Sequence, residues 1–206
     1  VEDKEGLMWL TTNNGLVSFQ PATGAMKVYT TANGLLGEQF NYRSSFETED
    51  GTIYLGSIDG FVAFNPKNFS ENKSLPSIVI TDFLLFGKEV YPGDPSSPLK
   101  KSINFLDELV LQPDQNSFSF RVAALDFQAP RMNQIMYKLD GFDDEWLPVG
   151  ESPVVSYSNL WYGNYTFRVK ASNSDGVWNE NEVSLIVRIL PPFYLTIWAY
   201  CVYVLL

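Results

Sequence analysis

Histidine is missing altogether from these 206 residues, and cysteine occurs once, as Cys201. Without histidine the chain holds no histidine-based triad, no imidazole metal site and no phospho-accepting histidine. With one cysteine it forms neither an internal disulfide nor a thiolate zinc site. No cofactor motif is recognisable. Charge is sparse as well: 18% of the residues are charged, with no block of one sign, and the net charge is −10. An acidic chain has no electrostatic footprint for nucleic acid, so no such partner is expected. Neither a methionine start nor a signal peptide is visible, and Val1 already stands within a pattern; the expectation is a piece of something longer.

What is present is aromatic and strand-like. The chain has 5 Trp, 11 Tyr and 15 Phe, most of them in strand-like runs. The clearest such run is residues 160–173. From Tyr165 it alternates: Tyr165, Phe167, Val169 and Ala171 share one face, and Thr166, Arg168, Lys170 and Ser172 the other. A period of two fits a strand with one buried and one wet face. Leu160, then Gly163, then Tyr165 is the order found at the E–F corner of immunoglobulin-like sandwiches, where the tyrosine hydroxyl bonds back to the chain just upstream.

Residues 1–66 contain an internal repeat. Gly6–Leu10, Asn14–Phe19 and Pro21 recur as Gly51–Leu55, Asp59–Phe64 and Pro66, each 45 residues on. A short strand, an Asn-Gly or Asp-Gly turn and a second strand read as a hairpin. A period of this length built of short strands is that of a propeller blade. Residues 27–30 and 40–46 are expected to supply the remaining strands of one blade. A ring needs about four to eight blades, so most of it would precede residue 1. Residues 67–76 are polar and read as a linker.

Further strand signals follow at 77–86, 108–111, 116–125, 134–140, 154–157 and 183–189, with a turn at Gly141–Trp146. Together with the corner strand they fit a two-sheet sandwich. From Pro191 the character changes. Residues 193–206 carry no charge, with Trp and Tyr where an aromatic belt would lie. Fourteen helical residues reach only about 21 Å against a bilayer core of about 30 Å, so the run is expected to be the start of a membrane helix.

These pieces together resemble the periplasmic end of bacterial hybrid two-component sensors, in which regulator propeller repeats precede a three-tyrosine (Y_Y_Y) domain and a membrane helix. The name-giving tyrosines would be Tyr137 in Tyr-Lys-Leu-Asp-Gly-Phe-Asp-Asp-Glu-Trp, Tyr157 in Ser-Tyr-Ser-Asn-Leu, and Tyr165. Residues 39–44 resemble the segment between propeller strands. The expected architecture is all-β: terminal propeller blades (1–75), an immunoglobulin- or fibronectin-III-like sandwich (76–190), and the start of a transmembrane helix (191–206). The resemblance implies an extracytoplasmic sensor in the periplasm, anchored in the inner membrane of a Gram-negative bacterium, often for oligosaccharides. The kinase domains would lie elsewhere, leaving this chain without an activity of its own. The stiff Pro191-Pro192 junction leads us to expect a homodimer through the sandwich.

Candidate residues are few. Asn41, Tyr42 and Arg43 combine the hydrogen-bonding and stacking groups of a sugar site, or else tie neighbouring blades together. Trp9, Trp146, Trp161 and Trp178 could stack sugar rings or fill cores. Asp140, Asp143, Asp144 and Glu145 form the densest acidic cluster; as paired carboxylates they would suit glycoside hydrolysis, and as a plain turn they would be solvated. The alternatives to a sensor are an accessory carbohydrate-binding module of a secreted enzyme, and a hydrolase using the Asp143 cluster.

Overall fold

The computed structural model describes residues 1–69, 72, 74–127, 129–150 and 152–195. Every regular element longer than three residues among them is a strand, in keeping with the all-β expectation. The chain divides into two compact units. One is built on residues 1–73 and takes in 128–132; the other is built on 74–127 and the residues from 133 onward.

In the first unit β1 (Met8–Thr12), β2 (Gly15–Gln20) and β3 (Ala25–Tyr29) form one antiparallel sheet, and β4 (Phe40–Glu47), β5 (Ile53–Ser57) and β6 (Gly60–Phe64) form another. The two copies of the repeat are the hairpins β1–β2 and β5–β6. Thr12 pairs with Gly15, and Ser57 with Gly60, across two-residue turns. Gly15 is obligatory: its φ is 104°, and a Cβ there would stand 2.3 Å from the carbonyl oxygen of Tyr29. Residues 27–30 and 40–46 do not complete one sheet as expected. β3 pairs with β2, and β4 opens the next sheet against β5. A repeat period states which residues are equivalent; it does not state where along the period one sheet ends.

The core of this unit is Trp9, Leu16, Ile53 and Leu55. Trp9 is 2% exposed. Its Nε1 donates to Asp3 Oδ2 at 3.0 Å, and its ring packs edge-on to Phe64 at 4.6 Å. A buried indole needs such an acceptor, and one so enclosed is a core residue, not a stacking platform.

The second unit is a two-sheet sandwich. β7 (Ser77–Leu85), β8 (Lys88–Glu89), β10 (Phe118–Leu125) and β13 (Val154–Tyr157) form a sheet in the order β13-β10-β7-β8. The facing sheet consists of β9 (Glu108–Leu111), β11 (Gln134–Asp140), β12 (Leu147–Pro148), β14 (Gly163–Ser172) and β15 (Val183–Ile189), in the order β12-β11-β14-β15-β9. β15 runs antiparallel to β14 and parallel to β9. The alternation in β14 is realised as read: Phe167, Val169 and Ala171 are fully buried, and Tyr165 is 9% exposed. Phe120 of one sheet stacks on Phe167 of the other at 4.5 Å. Burial of each such ring contributes about 1.5–3 kcal/mol. The unit begins a little ahead of β7. Asn173 Nδ2 donates to the carbonyl of Ser74 and Asn179 Nδ2 to that of Pro76, both at 2.9 Å.

Past β15, Phe193–Leu195 form a single 3-10 turn. The rest of the expected membrane helix, residues 196–206, lies outside the described residues. No helix among the described residues is long and apolar enough to cross a membrane.

Candidate functional site

The strand β4 is interrupted where the sugar-site candidates fall. Phe40 pairs with Ser57 and Ser45 with Leu55, so residues 41–44 bulge out opposite Gly56 alone. Asn41 closes the gap: its Nδ2 donates to the carbonyl of Ser57 at 2.9 Å. Arg43 adopts a left-handed φ of 56°, a conformation that costs a non-glycine residue of order 1–3 kcal/mol. Gly56 leaves room for the bulge, since a Cβ there would come within 3.1 Å of Ser44 Cβ. The result is a display. Tyr42 is 88% exposed, and the Arg43 guanidinium lies over its ring at 5.2 Å. An exposed aromatic face with a cation across it offers stacking and directional donors together. Asn41 is thus occupied by the backbone, while Tyr42 and Arg43 are exposed.

The three tyrosines sit in the sandwich: Tyr137 and Tyr157 pack against each other, and Tyr165 reaches them through one turn. The Tyr165 hydroxyl donates to the carbonyl of Trp161 at 2.9 Å, back along the chain at the corner. Its ring lies against Gly141, whose φ is 94°; a Cβ there would be 3.2 Å from Tyr165 Cδ1. Gly141 begins the turn after β11, where the amides of Phe142 and Asp143 donate to the carbonyl of Leu139 at 3.0 and 2.8 Å. Asp143 folds back. Its Oδ2 accepts the Leu139 amide at 2.8 Å and the Tyr157 hydroxyl at 2.8 Å. Phe142 and Tyr137 present their rings edge-on to Tyr157 at 5.8 and 6.4 Å. Burial, then the bond to Asp143, holds the Tyr157 phenol far above its ordinary range. Burial, then the nearby Asp143 charge, also raises Tyr137.

The acidic cluster therefore separates into different duties. Asp143 closes its own turn and holds a buried phenol. Asp140 takes Lys138 at 3.4 Å and Arg168 at 3.1 Å. Burial acts to raise the Asp140 carboxyl, but the hydrogen bonds from Arg168 and Lys138 outweigh it and leave it lowered. Asp144 and Glu145 are exposed. Nothing here assembles two carboxyls across a bond-cleaving cleft. Trp146 and Trp178 flank the Lys170 ammonium at 4.5 and 5.5 Å, on the wet face of β14. Trp161 stands apart, 70% exposed. Among the described residues no group of His, Cys, Asp and Glu is arranged to hold a metal ion.

A family model described as the Y_Y_Y domain matches residues 126–190, which takes in all three tyrosines. The whole chain aligns at 33% identity over 205 residues with histidine kinase P4 of Formosa agariphila, of which it covers 15%. The extracellular domain of the hybrid two component system BT3049 from B. thetaiotaomicron is similar in structure. It has a TM-score of 0.77 and 28% identity over 93% of this chain and 26% of that one. The extracellular domain of BT4673 from the same organism gives a TM-score of 0.54 at 26% identity, over 92% of this chain and 24% of that one. The chain thus spans between 15% and 26% of the length of these relatives.

Proposed function

We propose that this chain relays ligand binding across the inner membrane to a histidine kinase, because residues 126–190 match the Y_Y_Y domain and the chain is similar to a histidine kinase and to the extracellular domain of a hybrid two component system. In this reading residues 1–75 are the last blades of a propeller whose other blades precede them, and an oligosaccharide is bound on that propeller. The display of Tyr42 and Arg43 supports the choice of ligand. The sandwich passes the signal on as one of two copies joined through this domain, and residues 193–206 begin the membrane span. In this reading the chain itself performs no chemistry; the solved structures it is similar to are extracellular domains, and the carboxylates of its acidic turn are engaged or scattered.

One observation carries the relay. β15 is hydrogen-bonded along both edges, and the ladder continues to Leu190, whose amide donates to the carbonyl of Leu111 at 3.0 Å. Pro191 and Pro192 come directly after. Proline ends the ladder and keeps the chain stiff and extended, so a displacement of the sandwich reaches the apolar run with little slack. The test is a flexible Gly-Ser insertion between Leu190 and Pro191 in the intact receptor, with kinase output read on polysaccharide digests. Folding and ligand affinity should persist while ligand-dependent output is lost. Output that survives the insertion would remove the relay from this junction.

A further inference from the structure

The corner at Asn159–Tyr162 is built to hold an aromatic pair outward. Asn159 has a φ of 55°, and its amide donates to Ser117 Oγ at 3.1 Å. The Leu160 amide donates to the carbonyl of Asn116 at 3.1 Å, and the Trp161 carbonyl accepts from Tyr165. The backbone is pinned at each of three successive residues, and Leu160 is buried. Trp161 is nevertheless 70% exposed and Tyr162 38%, their rings 5.4 Å apart. This exposure is enforced by a rigid frame. A large apolar ring held in water costs free energy, and a contiguous exposed patch of this kind marks a surface that meets something else.

The position of the patch identifies its partner surface. Gly163 pairs with Ile189, so the corner lies beside the place where β15 gives way to Pro191-Pro192. Trp161, Tyr162 and Tyr194 line one open cavity of about 160 Å³ there, and no charged residue lines it among the described residues. Phe193 is 82% exposed, with its ring 5.4 Å from that of Tyr194. Two aromatic pairs therefore flank the exit of a chain that continues without a single charge to residue 206. Tryptophan and tyrosine prefer the headgroup level of a bilayer, where the ring is half dehydrated and its polar atom stays wet.

We infer that Trp161 and Tyr162 seat in the lipid headgroup layer, as a second membrane contact beside the apolar run after Pro192. This rests on that run entering the membrane. The contact would restrict the tilt of the sandwich on the bilayer, because a second point of attachment removes rotations that a single tether leaves free.

The experiment uses the intact receptor reconstituted into phosphatidylcholine–phosphatidylethanolamine vesicles, with spin-labelled phosphatidylcholine as quencher. Subtracting the emission of Trp161→Phe isolates Trp161; subtracting that of Trp198→Phe isolates Trp198, in the apolar run. Trp161 should lose most of its emission to headgroup labels and little to labels near the acyl terminus. Trp198 quenched by the lipid labels at either depth with Trp161 untouched would overturn this contact and leave the membrane run standing. Neither quenched would overturn both. Trp161 unquenched but blue-shifted on self-association would assign the patch to a second copy of the chain, and overturn the lipid contact.

Discussion

The phenol of Tyr157 donates to the same Asp143 oxygen that accepts the Leu139 amide, both at 2.8 Å. One carboxylate thus closes the turn after β11 and ties it to β13 in the opposite sheet. The pairing should be energetic. Tyr157→Phe is expected to cost about 1–2 kcal/mol, and Asp143→Ala about 2–3 kcal/mol because it leaves a buried hydroxyl and an amide without their acceptor. In urea denaturation the double variant should cost clearly less than the two singles together. Strict additivity would show that the bond contributes nothing.

Tyr165→Phe keeps the ring against Gly141 and removes only the bond to the Trp161 carbonyl. The expected loss is about 1–3 kcal/mol, read as a lower urea midpoint with an unchanged slope. A loss under a few tenths would mean that water replaces the hydroxyl at no cost.

Tyr157 also predicts behaviour in alkali. Its folded-state pKa is raised, first by burial and then by the bond to Asp143. Its contribution to stability is therefore complete below the unfolded tyrosine value of about 10, and is lost as pH rises toward the folded value. Above pH 10 the wild type should lose up to about 1.4 kcal/mol per pH unit more than Tyr157→Phe does. Urea midpoints at several alkaline pH values read this directly. Parallel slopes for the two proteins would mean that Tyr157 ionises as freely folded as unfolded.

The two units should differ in autonomy. Residues 74–190 bury their own two-sheet core and should melt cooperatively alone. The fragment should start at Ser74, since Asn173 and Asn179 hold the carbonyls of Ser74 and Pro76. Residues 1–69 carry two three-stranded sheets and should not fold alone, as a blade needs neighbours on both sides. Calorimetry on the two pieces decides; a sharp transition from residues 1–69 would contradict the partial-propeller reading.

Much of this was legible in the residues. The alternation from Tyr165 to Ala171 carries a buried strand on its face, and the spacing of Gly163 and Tyr165 carries the corner. Less legible was anything that depends on a distant partner. The repeat identifies β1–β2 with β5–β6 but does not say that β3 and β4 belong to different sheets. β9 reads as a short strand, yet its parallel pairing with β15 is a long-range choice that no local pattern encodes. In the sequence Asp143 reads, beside three other carboxylates, as part of a solvated turn or of a carboxylate pair; its engagement by Tyr157 and the Leu139 amide depends on the folded chain. The bulge at 41–44 left one trace, Gly56 across from it, which is visible only once the register is known.

The double-edged pairing of β15 has a mechanical consequence. A load drawn along this strand toward Leu190 strains the ladders to β14 and β9 in shear, so their bonds share it simultaneously, like a lap joint glued on both faces. Edge strands such as β8 or β12 have a ladder on one side only, two pairs long, and would share such a load over fewer bonds. Pulled between Ser74 and Leu190 in force spectroscopy, the sandwich should therefore yield at a higher force than when pulled by β8, and equal forces would deny it this strength. In the proposed relay, tension from the segment beyond Leu190 would fall on β15, a tie rod bonded on both sides.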